Sequence, residues 1–159
     1  MTATLTGLNV PDFTATATSG KTIDLSDLRG SCVVLYFYPR DNTPGCTDEG
    51  VQFAEHYAAF RKSNCEVFGI SRDSLRSHEN FKAKMHFPFE LISDEDERLC
   101  NMFGVIKMKN MYGKKVRGIE RSTFVIDGDG VVRREWRGVK VKGHVQQVLT
   151  AAQELNASV

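Results

Sequence analysis

The feature that most constrains the fold is an unbroken apolar run at residues 31–38, followed after a short loop by a helical pattern. A continuous apolar segment of this length is typical of a strand that is buried in a parallel sheet. Beyond Cys46, the aromatic side chains of Phe53, Tyr57 and Phe60 recur at helical spacing. The sequence therefore predicts an α/β fold.

Further strands and helices alternate along the chain. The patterns indicate an edge strand or hairpin at 13–18, strands at 65–71, 89–92, 122–126 and 131–136, and helices at 74–85, 94–103 and 143–155. The stretch from Asp127 to Gly130 predicts a tight turn between the last two strands. We expect one domain over residues 1–159, with a mixed central sheet flanked by helices, because the length suits a single core.

Composition excludes several function classes. The formal charge is +1, with 41% hydrophobic and 26% charged residues, which provides no general attraction to nucleic acid or to an anionic membrane. We interpret the basic segment 107–117 as a solvated loop. No apolar stretch approaches the roughly 20 residues that span a bilayer, and residues 1–7 do not resemble a secretory signal. We therefore expect a cytoplasmic protein whose cysteines are reduced at rest.

The cysteines and histidines show no metal-binding or dithiol pattern. No Cys-x-x-Cys is present, which argues against a zinc knuckle and against a dithiol–disulfide oxidoreductase. We expect the histidines to be helix-surface or loop residues, and neither a metal nor an organic cofactor is predicted. The residues concerned are Cys32, Cys46, Cys65, Cys100, His56, His78, His86 and His144.

Cys46 is the candidate nucleophile. Thr43 can cap a helix that begins at Pro44, which places Cys46 in the first turn, where unpaired backbone N–H groups favour a thiolate. Pro39 and Pro44 stiffen the loop, and the Thr43 hydroxyl can point toward the sulfur and toward a bound oxygen atom. The loop follows a strand, at the edge of the sheet where α/β proteins place their sites.

Two charged residues can complete this site. Arg121 opens a strand and can project onto the same sheet edge, although a solvent-facing arginine is the alternative interpretation. Glu49 lies one helical turn after Cys46, and its carboxylate would disfavour a thiolate unless it pairs with an arginine and orients it.

The stretch from Tyr36 to Thr47 (Tyr-Phe-Tyr-Pro-Arg-Asp-Asn-Thr-Pro-Gly-Cys-Thr), followed by Glu49, resembles the active-site loop of the peroxiredoxins. It is most similar to the bacterioferritin comigratory protein, or peroxiredoxin Q, subfamily. A second family block is matched by Arg121 to Asp127, and the resemblance extends over nearly the whole chain. It implies a thioredoxin-like fold and, for this subfamily, a monomer.

The resemblance also implies a role for each matching residue. Cys46 corresponds to the peroxidatic cysteine, Thr43 to a threonine that contacts sulfur and peroxide oxygen, and Pro39 to a shielding proline. Arg121 corresponds to the arginine that steadies the thiolate, and Glu49 to the acid that orients it. The implied reaction is attack of the Cys46 thiolate on hydrogen peroxide or an alkyl hydroperoxide, which leaves a sulfenic acid.

The chain departs from the subfamily at the usual positions of a resolving cysteine, which are occupied by Val51 and Lys82. A one-cysteine mechanism is therefore expected, with thioredoxin, glutaredoxin or glutathione as reductant. Two alternatives stay open, namely resolution by Cys100 and a peroxide-sensing redox switch. We expect Cys32 and Cys65 to be core residues.

Overall fold

The computed structural model describes residues 4–157 and has a five-stranded mixed sheet at its centre. In the strand order β5-β4-β3-β8-β9, the strands β3, β4 and β5 are parallel to one another. Strand β8 runs antiparallel to both of its neighbours, β3 and β9. The predicted α/β class with a mixed sheet is confirmed. The elements are β1 Thr14–Thr16, β2 Thr22–Asp24, β3 Cys32–Phe37, α1 Pro44–Lys62, β4 Cys65–Ser71, α2 Leu75–Met85, β5 Glu90–Ser93, α3 Arg98–Met102, β6 Ile106–Met111, β7 Lys114–Ile119, β8 Ser122–Ile126, β9 Val132–Arg137 and α4 His144–Ala157.

The sheet separates two hydrophobic cores, because successive strand residues point to opposite faces. On one face, β3 residues Val34 and Tyr36 pack with side chains of α1, α2 and α4. On the other face, Val33, Leu35 and Phe37 pack with α3 and with residues before β3. This division decides which cysteines can meet. Within residues 4–157, no helix is both long and apolar enough to cross a membrane.

Two predicted elements need correction. The segment 107–117 is not a loop but most of an antiparallel hairpin of β6 and β7, turning at Tyr112 and Gly113, which both have positive φ. The helix predicted at 94–103 is shorter, because Glu97 has a φ of 62° and α3 begins at Arg98.

Two of the four cysteines form a pair that sequence analysis did not predict. Cys32 and Cys65 are core residues as predicted, but they are register partners on β3 and β4 and are joined in a disulfide. Cys46 and Cys100 are free. The pairing could not be predicted, because strand register, which sequence spacing does not reveal, brings the two Cα atoms to 4.3 Å.

Candidate active site

The Cys46 loop joins the end of β3 to the start of α1. Thr43 has extended backbone angles at the N-cap and Pro44 is the first helical residue, as predicted. Cys46 therefore lies in the first turn, where its side chain is 2% exposed. The helix N-terminus directs unpaired N–H groups and the positive end of the helix dipole toward this region.

Arg121 bridges Cys46 and Glu49. It lies immediately before β8, next to β3, and its Nη2 approaches Cys46 Sγ at 3.5 Å. Its Nη1 donates to Glu49 Oε1 at 2.7 Å. Gly45 makes room for this approach, because a Cβ there would lie 3.1 Å from Arg121 Nη2. The structure thus brings together three residues that sequence analysis had singled out separately.

The charges of this trio depend on one another. Burial, opposed by the attraction of Arg121, raises the pKa of Glu49 from 4.5 to about 7. Burial works against the charge of Arg121, but attraction to Glu49 and Cys46 prevails and raises the pKa of the guanidinium. Glu49 Oε2 is buried and has no hydrogen-bond partner. The cation therefore persists at neutral pH, whereas the carboxyl titrates there.

Thr43 and Pro39 lie in the same loop, and Pro39 is half-buried. The Thr43 hydroxyl donates to the Arg40 carbonyl at 2.8 Å. The expected hydrogen bond from Thr43 to the Cys46 sulfur does not occur within the described part of the chain. Because the hydroxyl proton is engaged by Arg40, Thr43 Oγ1 keeps its lone pairs for an incoming donor.

A buried polar network anchors the loop to α2. Asp41 accepts from Tyr38 Oη at 2.6 Å and pairs with His78 Nδ1 at 2.8 Å, while His78 Nε2 faces the Ile92 carbonyl at 3.0 Å. Asp41, Asp73 and His78 are the described residues with metal-ligating atoms grouped within 4.8 Å. His78 is engaged by Asp41 and Ile92, and the Asp73 carboxylate accepts from the Asp41 backbone N–H and the Ser71 hydroxyl. The group is therefore explained as a tether between the loop and α2.

Two histidines expected at the surface are in fact buried, namely His78 in α2 and His144 at the start of α4. His144 Nε2 lies 2.8 Å from Thr123 Oγ1 on β8. Burial and the charge of Arg121 lower the pKa of His144 to about 4. Sequence analysis missed both residues because their polar partners come from other elements of the fold.

Cys100, the candidate for a resolving residue, lies away from Cys46. Cys100 packs in the core on the opposite face of the sheet, and burial together with Asp94 raises the pKa of its thiol. At the two usual resolving positions, Val51 of α1 is partly buried against the same core as Cys46, and Lys82 Nζ pairs with Glu90 Oε1 at 3.4 Å.

Comparisons with known proteins identify the family to which the chain is similar. The profile described as the AhpC/TSA family matches residues 6–135. Peroxiredoxin Bcp of Xanthomonas campestris pv. campestris is 50% identical over 140 residues, which are 88% of each chain. Peroxiredoxin Bcp of Bacillus subtilis is 42% identical over 150 residues, covering 94% of this chain and 96% of that one. A solved structure of the Xanthomonas campestris bacterioferritin comigratory protein, which concerns its alkyl peroxide reduction, has a TM-score of 0.86 at 47% identity and covers 91% of this chain and 92% of that one.

Proposed function

The chain belongs to the AhpC/TSA family of peroxiredoxins and is a thiol-dependent peroxidase with the predicted thioredoxin-like fold, and we propose that Cys46 is its peroxidatic cysteine. The observation that carries this proposal is the Arg121 guanidinium, which contacts both Cys46 Sγ and Glu49 Oε1. A fixed cation at a sulfur in the first turn of a helix is an environment that favours a thiolate.

The proposed chemistry follows from these positions. The Cys46 thiolate attacks one oxygen of the hydroperoxide, the O–O bond breaks, and the sulfur becomes a sulfenic acid. The leaving oxygen takes up a proton and departs as water or an alcohol. Arg121, which already lies at the sulfur, stabilises the negative charge as it moves from sulfur to oxygen. Thr43 Oγ1 is placed to accept a hydrogen bond from the substrate hydroperoxide, and Pro39 shields the loop from water.

We further propose that an external thiol, from thioredoxin, glutaredoxin or glutathione, reduces the sulfenic acid. Two observations support a one-cysteine mechanism. Cys100 is separated from Cys46 by the sheet, and Cys32 and Cys65 are paired with each other. Because Cys46 is 2% exposed, the first turn of α1 has to open before a reductant protein reaches the sulfur. The protein acts as a monomer in this proposal.

The decisive experiment compares Cys46→Ser with Cys100→Ser, since both replace a buried free cysteine by a residue of similar shape. With an added thiol, the Cys100→Ser variant should consume peroxide at the wild-type rate, and the Cys46→Ser variant should not turn over. Turnover by the Cys46→Ser variant would exclude the proposed nucleophile.

A second measurement separates the two resolution mechanisms. After one equivalent of peroxide, we expect a sulfenic acid on Cys46 that dimedone traps and mass spectrometry localises. A disulfide between Cys46 and Cys100 would instead contradict the one-cysteine mechanism while leaving Cys46 as the peroxidatic residue.

A further inference from the structure

A second pair of sulfurs lies at the other end of β3 from the active site. Cys32 begins β3 and Cys65 begins β4, and the two residues are direct partners in the parallel register. Both side chains point to the same face of the sheet, and their Cα atoms are 4.3 Å apart. Bridging requires Cα atoms within about 7 Å and side chains on one side, and both conditions are met.

The two sulfurs differ in access. Cys65 is fully buried, whereas Cys32 is 8% exposed and borders a surface cavity of about 900 Å³. That volume is within the range of small-molecule sites. Two basic and two acidic side chains line the cavity, namely Arg29, Arg133, Asp127 and Asp129. Because their charges balance, the cavity does not select for an anion or a cation. Cys32 is therefore the more exposed residue of the pair, and a small reagent that approaches from the cavity meets Cys32 before Cys65.

This pair cannot exchange electrons directly with the peroxidatic cysteine in the folded protein. The other five of the six residues of β3, and the loop beyond them, lie between Cys32 and Cys46. At a rise of about 3.3 Å per residue, the strand alone places Cys32 roughly 17 Å from the start of the active-site loop. A disulfide between the two sites would require unfolding of β3, which is the central strand of the sheet.

We propose that Cys32 and Cys65 form a second redox centre, a dithiol that hydroperoxide closes to a disulfide and a low-molecular-weight thiol reopens. In the closing reaction, the Cys32 thiolate attacks the peroxide and becomes a sulfenic acid, and the departing oxygen leaves protonated as water or an alcohol. The Cys65 sulfur then attacks Cys32, and hydroxide leaves with the Cys65 proton as water. The two thiols lose two electrons and the O–O bond gains them.

Reopening follows ordinary thiol–disulfide exchange. An external thiolate attacks Cys32, which is the more exposed residue of the pair, and releases the Cys65 thiolate. A second external thiol then frees Cys32, so that two reductant thiols end as one disulfide. In a reducing compartment such a pair is open at rest and closes under peroxide, as transient redox-sensing disulfides do.

The closed form clamps β3 to β4, the two strands that lead into the active-site loop and into α2. The bond joins residues with a sequence separation of 33 and so reduces the conformational entropy of the unfolded chain, which stabilises the fold. We expect the oxidised protein to melt roughly 5–10 °C above the reduced protein.

The test uses the full chain carrying Cys46→Ser and Cys100→Ser, in which Cys32 and Cys65 are the remaining cysteines. The protein is reduced, freed of reductant and treated with hydrogen peroxide. We expect the mass to fall by two hydrogens, a non-reducing digest to link the Cys32 and Cys65 peptides, and the melting temperature to rise. Glutathione should reverse all three changes.

The matched control adds Cys65→Ala to the same background, in which neither the linked peptide nor the rise in melting temperature should occur. Both cysteines free for alkylation after peroxide, or a sulfinic acid on Cys32 beside a free Cys65, would overturn the proposal. If the double variant does not fold, the same peptide mapping on the peroxide-treated wild type decides the question. The Cys32→Ala single variant should keep its peroxidase turnover, so this proposal and the role of Cys46 succeed or fail separately.

Discussion

Glu49 makes the stability of this protein depend on pH in a way that one substitution can isolate. Its side chain is fully buried, Oε1 accepts from Arg121 Nη1 at 2.7 Å, and Oε2 has no partner. Burial is the largest cause that raises the pKa of the carboxyl from 4.5 to about 7, and Arg121 offsets only part of it. Ionised Glu49 therefore lowers the free energy of unfolding.

The sign and size of the effect follow from linkage. A carboxyl with a higher pKa in the folded than in the unfolded chain stabilises the fold while it is protonated, so this stability is complete below pH 4.5 and lost as pH rises through 7. The full difference corresponds to about 3 kcal/mol. Between pH 5 and pH 8, the free energy of unfolding should lose about 2–3 kcal/mol through this group.

The measurement is urea denaturation of the wild type and Glu49→Gln across pH 5 to 8. Glutamine keeps the shape and an oxygen that accepts from Arg121, but it does not titrate. Relative to this variant, the wild type should lose about 2–3 kcal/mol as pH rises. Taking the difference between the two proteins cancels the contributions of all other titrating groups.

Asp48→Asn is the matched control, because it removes the same charge from an exposed position in the same helical turn. We expect this variant to follow the wild-type pH profile. Parallel profiles for the wild type and Glu49→Gln would refute the argument, since they would mean that burial does not hold the Glu49 carboxyl protonated at neutral pH.

Three further predictions concern the residues around the site. Arg121→Lys removes the bridge between Cys46 and Glu49, and steady-state assays should find kcat/KM for peroxide lower by about 100-fold or more. The pKa of His144 is lower in the folded protein, about 4 against 6.5, so about 3 kcal/mol of stability is present above pH 6.5 and lost as pH falls through 4. Acid denaturation of His144→Gln should therefore be shallower than that of the wild type. His78→Ala leaves buried Asp41 without its histidine, and urea denaturation should show a loss of about 3 kcal/mol, whereas an unchanged midpoint would contradict the tether.

Much of the local structure could be predicted because short-range physics determines it. Thr43 and Pro44 start α1, and Ser74 caps α2 by accepting from the Ser77 N–H, both as expected from helix-capping preferences. The turn at residues 127–130 joins β8 to β9 for a similar local reason. Each of these features depends on neighbours in sequence, so composition and spacing are sufficient.

In the β6–β7 hairpin, the sequence contained a local strand and turn pattern, but its lysine content led to a different interpretation. Apolar and polar residues alternate over the first four residues of Ile106–Met111, and Tyr112 with Gly113 supplies a two-residue turn. The concentration of lysines favoured a loop interpretation. A hairpin with one largely exposed strand tolerates those lysines, because their charges remain in water.

The sequence by itself determined the α/β class, the helix start that holds Cys46 and the residue types that a peroxidatic site requires. Only the tertiary structure decided that Arg121, 75 residues away, contacts the Cys46 sulfur. It also decided that Cys100 lies across the sheet and that Cys32 faces Cys65. The physical reason is that strand order, register and the face to which a side chain points arise from packing between distant segments, which no local pattern records.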